Sequence, residues 1–138
     1  MGDEEKVQSL IAELKILESY FNEANTRQAM ITNAIIESSA AQEALQGLLK
    51  ENSEVLVPIG GGLYIYSQAQ RPDKLLVNIG ANVVVEKTKE DALSFLDIRM
   101  KDLEKAQETL ESQKNEFKNR INVINNTVRG IIEKQQKG

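Results

Sequence analysis

Two heptad stripes, one on each side of a glycine-rich centre, constrain this chain more than anything else in it. Counting from Val7 in alternating steps of three and four residues reaches Leu10, Leu14, Leu17, Phe21, Ala24, Gln28, Ile31, Ile35, Ser38, Gln42, Leu45, Leu49 and Asn52; ten of the fourteen positions are apolar. The same count from Leu93 reaches Leu96, Met100, Leu103, Gln107, Leu110, Lys114, Phe117, Ile121, Ile124, Val128 and Ile131, with ten of twelve apolar. An apolar repeat of about 3.5 residues keeps one narrow seam turned toward a partner helix, whereas a helix on a globular core carries a wider face at about 3.6. Neither stripe contains proline. Each predicts a coiled-coil helix of roughly 45 residues, about 65–70 Å long at ~1.5 Å per residue.

Two helices of equal length can fold back on each other as an antiparallel hairpin. Pairing the seams so that polar meets polar sets Gln28 against Lys114, and then Leu10 against Ile131, Leu17 against Ile124, Ala24 against Phe117, Ile31 against Leu110 and Leu45 against Leu96. A slip by one heptad would leave Gln28 and Lys114 facing isoleucines, and polar seam residues commonly specify register in this way.

Between the helices, Val55–Ile59 and Leu63–Ser67 flank Gly60-Gly61-Gly62, and Lys74–Ile79 and Val83–Lys87 flank Gly80-Ala81-Asn82. β-branched and aromatic runs around such turns predict two β-hairpins, separated by Arg71-Pro72-Asp73. Pro58 cannot donate to a ladder and belongs at an edge or strand end. Read as one sheet of four short strands, the segment is apolar on both faces and has open edges, an aggregation hazard unless other sheets cover it. The expected architecture is α+β, mainly α: a long antiparallel coiled-coil hairpin with two short β-hairpins at the bend, which assemble into a β-barrel with other subunits. The residues expected to make that barrel are Val55, Val57, Ile59, Leu63, Ile65, Leu75, Val77, Ile79, Val83, Val84 and Val85. One domain covers 1–138, divided into an N-terminal helix over 4–53, the hairpins over 54–88 and a C-terminal helix over 89–136.

Composition excludes several function classes. The chain has no histidine and no cysteine, so the commonest general base, the commonest zinc ligand and any disulfide or thiolate site are missing. Serine and threonine hydroxyls have no histidine base, so no catalytic set is expected and the chain reads as a non-enzyme without cofactor or metal. Asp3-Glu4-Glu5 and Glu90-Asp91 stand at predicted helix starts, where carboxylates complement the macrodipole. The triple glycine lacks the GxxxxGK[ST] context of a phosphate cradle and reads as a turn. Tyr64 and Tyr66 share one strand face, but a base-stacking platform needs neighbouring positive charge, so they read as packing. The net charge of −4 and the absence of a basic face argue against nucleic acid. No apolar run approaches the roughly 18 residues of a membrane span, and the acidic start MGDEEKVQ is unlike a signal peptide, so cytoplasmic residence without membrane contact is expected.

A long helix, then VLVPIGGGLYI, then DKLLVNIGANVVVEKT followed by EDALSFLDIR resembles the archaeal-type prefoldin α class over essentially the whole chain. The triple glycine at 60–62 and the tail ending in Gln135-Gln136-Lys137-Gly138 are its visible departures. The resemblance implies a heterohexamer of two α and four β-class subunits, built on a double β-barrel. By the same resemblance, the coiled-coil tips hold unfolded polypeptides and deliver them to a group II chaperonin without ATP. At the tips of this chain the candidate residues are Val7, Leu10, Ile11, Leu14, Val128, Ile131 and Ile132. Most lie on the seam and also serve to complete it. Ile11 and Ile132 fall beside it, where an apolar side chain stays partly exposed. The alternative is a structural coiled-coil tether docking one folded partner, which would not suppress aggregation of unrelated proteins.

Overall fold

The computed structural model describes residues 2–47, 53–69 and 73–137. Helix α1 spans Asp3–Gly47, strands β1 to β4 span Ser53–Gly60, Leu63–Ala69, Lys74–Gly80 and Val83–Thr88, and helix α2 spans Lys89–Lys137. Both helices begin on carboxylates, Asp3, Glu4 and Glu5 in α1 and Glu90 and Asp91 in α2, where they meet the positive end of the macrodipole. Strand passes into helix at Thr88 with no linker. The Thr88 hydroxyl accepts the Asp91 amide at 3.1 Å, an N-cap that satisfies one of the four unpaired amides of the first turn. The helix expected to run to 53 is described as far as Gly47, and Ser53 already pairs with Ala69 as strand. Seam positions Leu49 and Asn52, and Arg71-Pro72 of the expected break, lie outside the described residues.

The chain divides into two compact units, Met1–Asn33 with Glu104–Gly138, and Ala34–Leu103. In the first, α1 and α2 pair antiparallel: Glu13 meets Arg120, Gln28 meets Glu111, and Thr32 meets Gln107. Ala24, Leu110 and Ile124 are its buried apolar residues, Ile124 completely so. All three sit on the predicted stripes.

The register differs from the expected one. Lys114 donates to the Gln28 side-chain oxygen, yet its amine also lies 5.5 Å from the centroid of the Phe21 ring. Reaching both residues places Lys114 opposite Ala24, between them. On the other helix, Leu110 and Phe117 line one recess with Ala24, which again centres Ala24 on Lys114. Each partner is therefore displaced by half a heptad from the expected pairing. The earlier pairing matched like heptad positions across the seam, whereas the observed layers set the first apolar position of one heptad against the fourth of the other. Polar matching survives the change because Lys114 reaches diagonally to Gln28.

In the second unit the strands form two separate two-stranded antiparallel sheets, β1 with β2 and β3 with β4, rather than one sheet of four. The second hairpin repeats the first: Pro58 pairs with Tyr64 and Gly60 with Leu63, as Asn78 pairs with Val84 and Gly80 with Val83, and each ladder shifts register just before its turn. The turns match as well. Gly60 and Gly80 have φ near +110°, then Gly61 and Gly62 (φ 60° and 79°) or Ala81 and Asn82 (φ 50° and 61°) make the reversal. Two consecutive residues of positive φ are what a tight hairpin turn with the native strand twist requires. The Asn78 side chain accepts the Gly80 amide at 2.9 Å and braces the second turn, a role Pro58 cannot fill in the first.

Two outcomes check this description. Ala81 is the one residue in these turns that is neither glycine nor asparagine, and a left-handed conformation costs an L-residue about 1–2 kcal/mol. Ala81→Gly relieves that cost while loosening the unfolded chain, for a net gain of about 0.5–1 kcal/mol; a urea midpoint that fell instead of rising would show that no strain is held there. Because the chain has no native cysteine, register can be read by disulfide trapping. Cysteines at Ala24 and Lys114 should oxidise to a crosslink faster than those at Ala24 and Phe117 or at Ala24 and Leu110, and a leading Ala24–Phe117 pair would restore the register first expected.

Candidate functional site

Strand alternation sorts each hairpin into two faces; both are apolar in the first hairpin, whereas the second has one apolar and one mixed face. In the first, Val55, Val57 and Ile65 share one face, while Leu56, Pro58, Tyr64 and Tyr66 form the other through the pairs Leu56–Tyr66 and Pro58–Tyr64. Of the residues expected to carry assembly, Val57, Ile59, Leu63 and Ile65 are exposed and Val55 is half-buried. In the second hairpin Leu75, Val77 and Val85 are half-buried, and Ile79, Val83 and Val84 are exposed. Leu75 and Val77 line a recess of about 380 Å³ with Leu45, Ala92, Phe95 and Leu96, so this face looks onto the helices of its own unit. The opposite face carries Leu76, largely exposed, beside an exposed Lys74–Glu86 pair at 3.5 Å.

Leu56, Tyr64, Tyr66 and Leu76 are exposed apolar positions that the sequence reading did not assign to assembly. The alternation that places Val55 and Val57 on one face places these on the other. An isolated two-stranded hairpin is marginal in water, and here each sheet has two open edges.

The first unit holds the other candidate surface, at the end where α1 begins and α2 finishes. Val7, Leu10, Leu14, Val128 and Ile131 are half-buried along the seam. Ile11 and Ile132 stand beside it and are 39% and 44% exposed. Just inside this end, Glu13 accepts two hydrogen bonds from Arg120, at 2.9 Å from Nε and 3.0 Å from Nη2. The hydrogen bond from Arg120, with a smaller contribution from its charge, holds the Glu13 carboxyl below its ordinary value, and the same contact raises Arg120. The folded form thus binds the Glu13 proton less tightly than the unfolded chain does. Whatever this solvent-exposed pair adds to stability is present in full above the ordinary glutamate range and is lost as pH falls through the lowered value.

Among the described residues, no group of three or more Asp and Glu side chains could hold a metal ion, and no helix is long and apolar enough to cross a membrane. What the described surfaces offer is apolar area: a first hairpin with exposed apolar residues on both faces, a second with one face open, and a helix pair with exposed isoleucines at one end.

A helix, two β-hairpins and a second helix pairing antiparallel with the first define a coiled-coil hairpin protein. Residues 17–134 match the family described as prefoldin subunit. The chain is 30% identical over 135 residues to prefoldin subunit alpha of Nitrosopumilus maritimus, covering 97% of this chain and 93% of that one. Among solved structures it is similar to the prefoldin beta subunit from Thermococcus strain KS-1, with TM-score 0.63, 14% identity, and 91% and 90% of the two chains covered. It is also similar to a chain of the filamentous prefoldin of Methanocaldococcus jannaschii, with TM-score 0.52, 25% identity, and 87% and 95% covered. The chain belongs to the prefoldin family of chaperone subunits.

Val84 lies on the open face of the second hairpin and is exposed, so a charge there leaves the single chain unperturbed and acts only on whatever covers that face. Val84→Asp should keep the helical circular dichroism of the parent and lose the mass of the assembled complex in light scattering, measured with a β-class prefoldin subunit present. Retention of full complex mass would remove this face from the assembly.

Proposed function

We propose that this chain is the α-class subunit of an ATP-independent holdase, a single prefoldin-like domain over 1–138 acting in the cytoplasm. Its hairpins join those of β-class subunits in a β-barrel, giving a heterohexamer of two α and four β chains. The ends of its helix pairs bind unfolded polypeptides and deliver them to a group II chaperonin. The observation that carries the client-binding part is the exposure of Ile11 and Ile132 beside a half-buried seam at one end of the helix pair. Those two side chains add nothing to the seam, and exposed apolar surface able to adapt is what a binder of many unfolded sequences requires. Each contact is weak. Several such ends held on one barrel turn weak contacts into useful avidity, because the second and third form at high effective concentration. No nucleotide enters that scheme, and the sequence carries no phosphate-binding loop motif.

The test is Ile11→Ser with Ile132→Ser in the assembled complex, measuring helicity and suppression of aggregation of a denatured protein. Helicity should be unchanged and protection reduced severalfold, with no response to ATP and little to moderate salt. Full protection by the doubly substituted complex would move the client surface away from these residues. A complex that protects only one folded partner, and no unrelated unfolded protein, would make the chain a tether.

A further inference from the structure

In the unit formed by Met1–Asn33 and Glu104–Gly138, six large apolar side chains are exposed among the described residues: Ile11, Ile16, Tyr20, Met30, Val123 and Ile132. Ile11 and Ile132 belong to the end just described. The other four lie on one flank of the helix pair. That flank is marked by the Glu13–Arg120 ion pair and by the Tyr20–Phe117 ring contact, with centroids 5.9 Å apart. Ile16 stands one helical turn from both Glu13 and Tyr20, Val123 one turn from Arg120, and Met30 one turn from Arg27, which follows Tyr20 by a heptad. The opposite flank carries Lys15, Glu18 and Asn22 on α1 and Asn115, Lys118 and Asn122 on α2, and its large apolar side chains, Ile11 and Ile132, stand only at the helix ends. A coiled coil needs apolar residues only along its seam, so the seam does not account for Ile16, Met30 and Val123, while Tyr20 rests on the seam residue Phe117 and is still 49% exposed.

We propose that this flank is a second client surface, on which Ile16, Tyr20, Met30 and Val123 take an extended apolar segment of an unfolded polypeptide. The inference rests on the holdase reading and extends it beyond the helix ends.

Three observations select that occupant. The first is area. These side chains are between 49% and 67% exposed and together offer roughly 300–400 Å², about half of the ~800 Å² per partner that a stable interface uses; a second copy or a permanent folded partner would need more. The second is spacing. Ile16 and Tyr20 are about 6 Å apart along the helix, close to the roughly 6.6 Å between side chains on one face of an extended chain. The third is a recess of about 240 Å³ lined by Tyr20, Ala24, Leu110 and Phe117, with Glu23 and Arg27 also lining it. The small Ala24 in the seam opens room for one apolar side chain. Charges of both signs stand beside it to meet the donors and acceptors of an extended backbone. Met30 is flexible and polarizable, suited to partners of varied shape.

The experiment is site-specific photocrosslinking in the assembled complex, with reduced, carboxymethylated α-lactalbumin as a permanently unfolded probe. A photoreactive residue replaces Ile16 or Val123 on this flank, Asn22 or Lys118 on the other, and Ile132 at the end. Crosslinks at Ile132, Ile16 and Val123 but not at Asn22 or Lys118 are expected. Crosslinks at Ile132 alone would overturn the flank proposal and leave the holdase reading standing, whereas crosslinks at no position would overturn both. Equal crosslinking on the two flanks would show unselective encounter and overturn the proposal as well. In parallel, Ile16→Gln, Met30→Gln and Val123→Gln together preserve helix propensity and should weaken probe binding about threefold to tenfold at unchanged helicity, a loss of the size expected from three partly buried contacts. Unchanged affinity would show that the stripe does not bind.

Discussion

A pair of helices can bury only one stripe of each, and in this chain that stripe is nearly all the core there is. Ala24, Leu110 and Ile124 in one unit and Ala92 in the other are the buried apolar residues among those described, with Ser38 as the one buried polar side chain. The seam even gives some of its positions to polar residues, Gln28 bonded to Lys114 and Glu111, and Gln107 bonded to Thr32. Polar seam residues cost stability but specify pairing. A long helix pair with a thin core therefore gains a defined register and keeps little spare energy to stabilise the hairpins beside it. The hairpins gain from their own chain only what one face of the second obtains near Leu45, Ala92 and Phe95. The first hairpin, with most of its apolar side chains exposed, depends on burial that its own chain does not supply.

The hairpin is also duplicated in detail. Each copy presents the same arrangement, a glycine at φ near +110° followed by two residues in the left-handed region. Two similar hairpins give one chain two similar pairs of open sheet edges. The difference lies in the turns. Three glycines make the first reversal free of side chains, while Asn78 braces the second against the strain at Ala81.

Much of this was legible in the sequence because its signals are periodic. The heptad stripes from Val7 and Leu93 mark both helices, and every buried apolar residue of the first unit lies on them. The turns were legible too, since Gly60-Gly61-Gly62 and Gly80-Ala81-Asn82 have few other uses between β-branched runs. Register was less so. A heptad count states which residues face a partner but not which layer of the partner they face, and matching Gln28 to Lys114 fits two offsets half a heptad apart. The position of Lys114 between Phe21 and Gln28 and that of Ala24 between Leu110 and Phe117 distinguish them. The separation of the strands into two sheets was likewise invisible, because alternation within a strand carries no information about which strand lies beside it.

The functional surfaces are the hardest part to see from sequence, for a physical reason. A catalytic site needs particular groups at particular distances, and such constellations leave sharp traces. A surface for unfolded chains needs only apolar side chains that the fold does not use, placed where a seam, a cap or a turn makes no demand. Ile11 and Ile132 are visible because they fall just beside the seam at a helix end. Ile16, Tyr20, Met30 and Val123 look like scattered substitutions until the Glu13–Arg120 pair and the Tyr20–Phe117 contact show which way their flank faces. Once the seam's orientation is known, what a position does can be read from what the coiled coil would tolerate there. A solvated helix position tolerates almost any polar residue and single apolar ones as well, so it is the gathering of four on one flank, rather than any one of them, that the further proposal rests on.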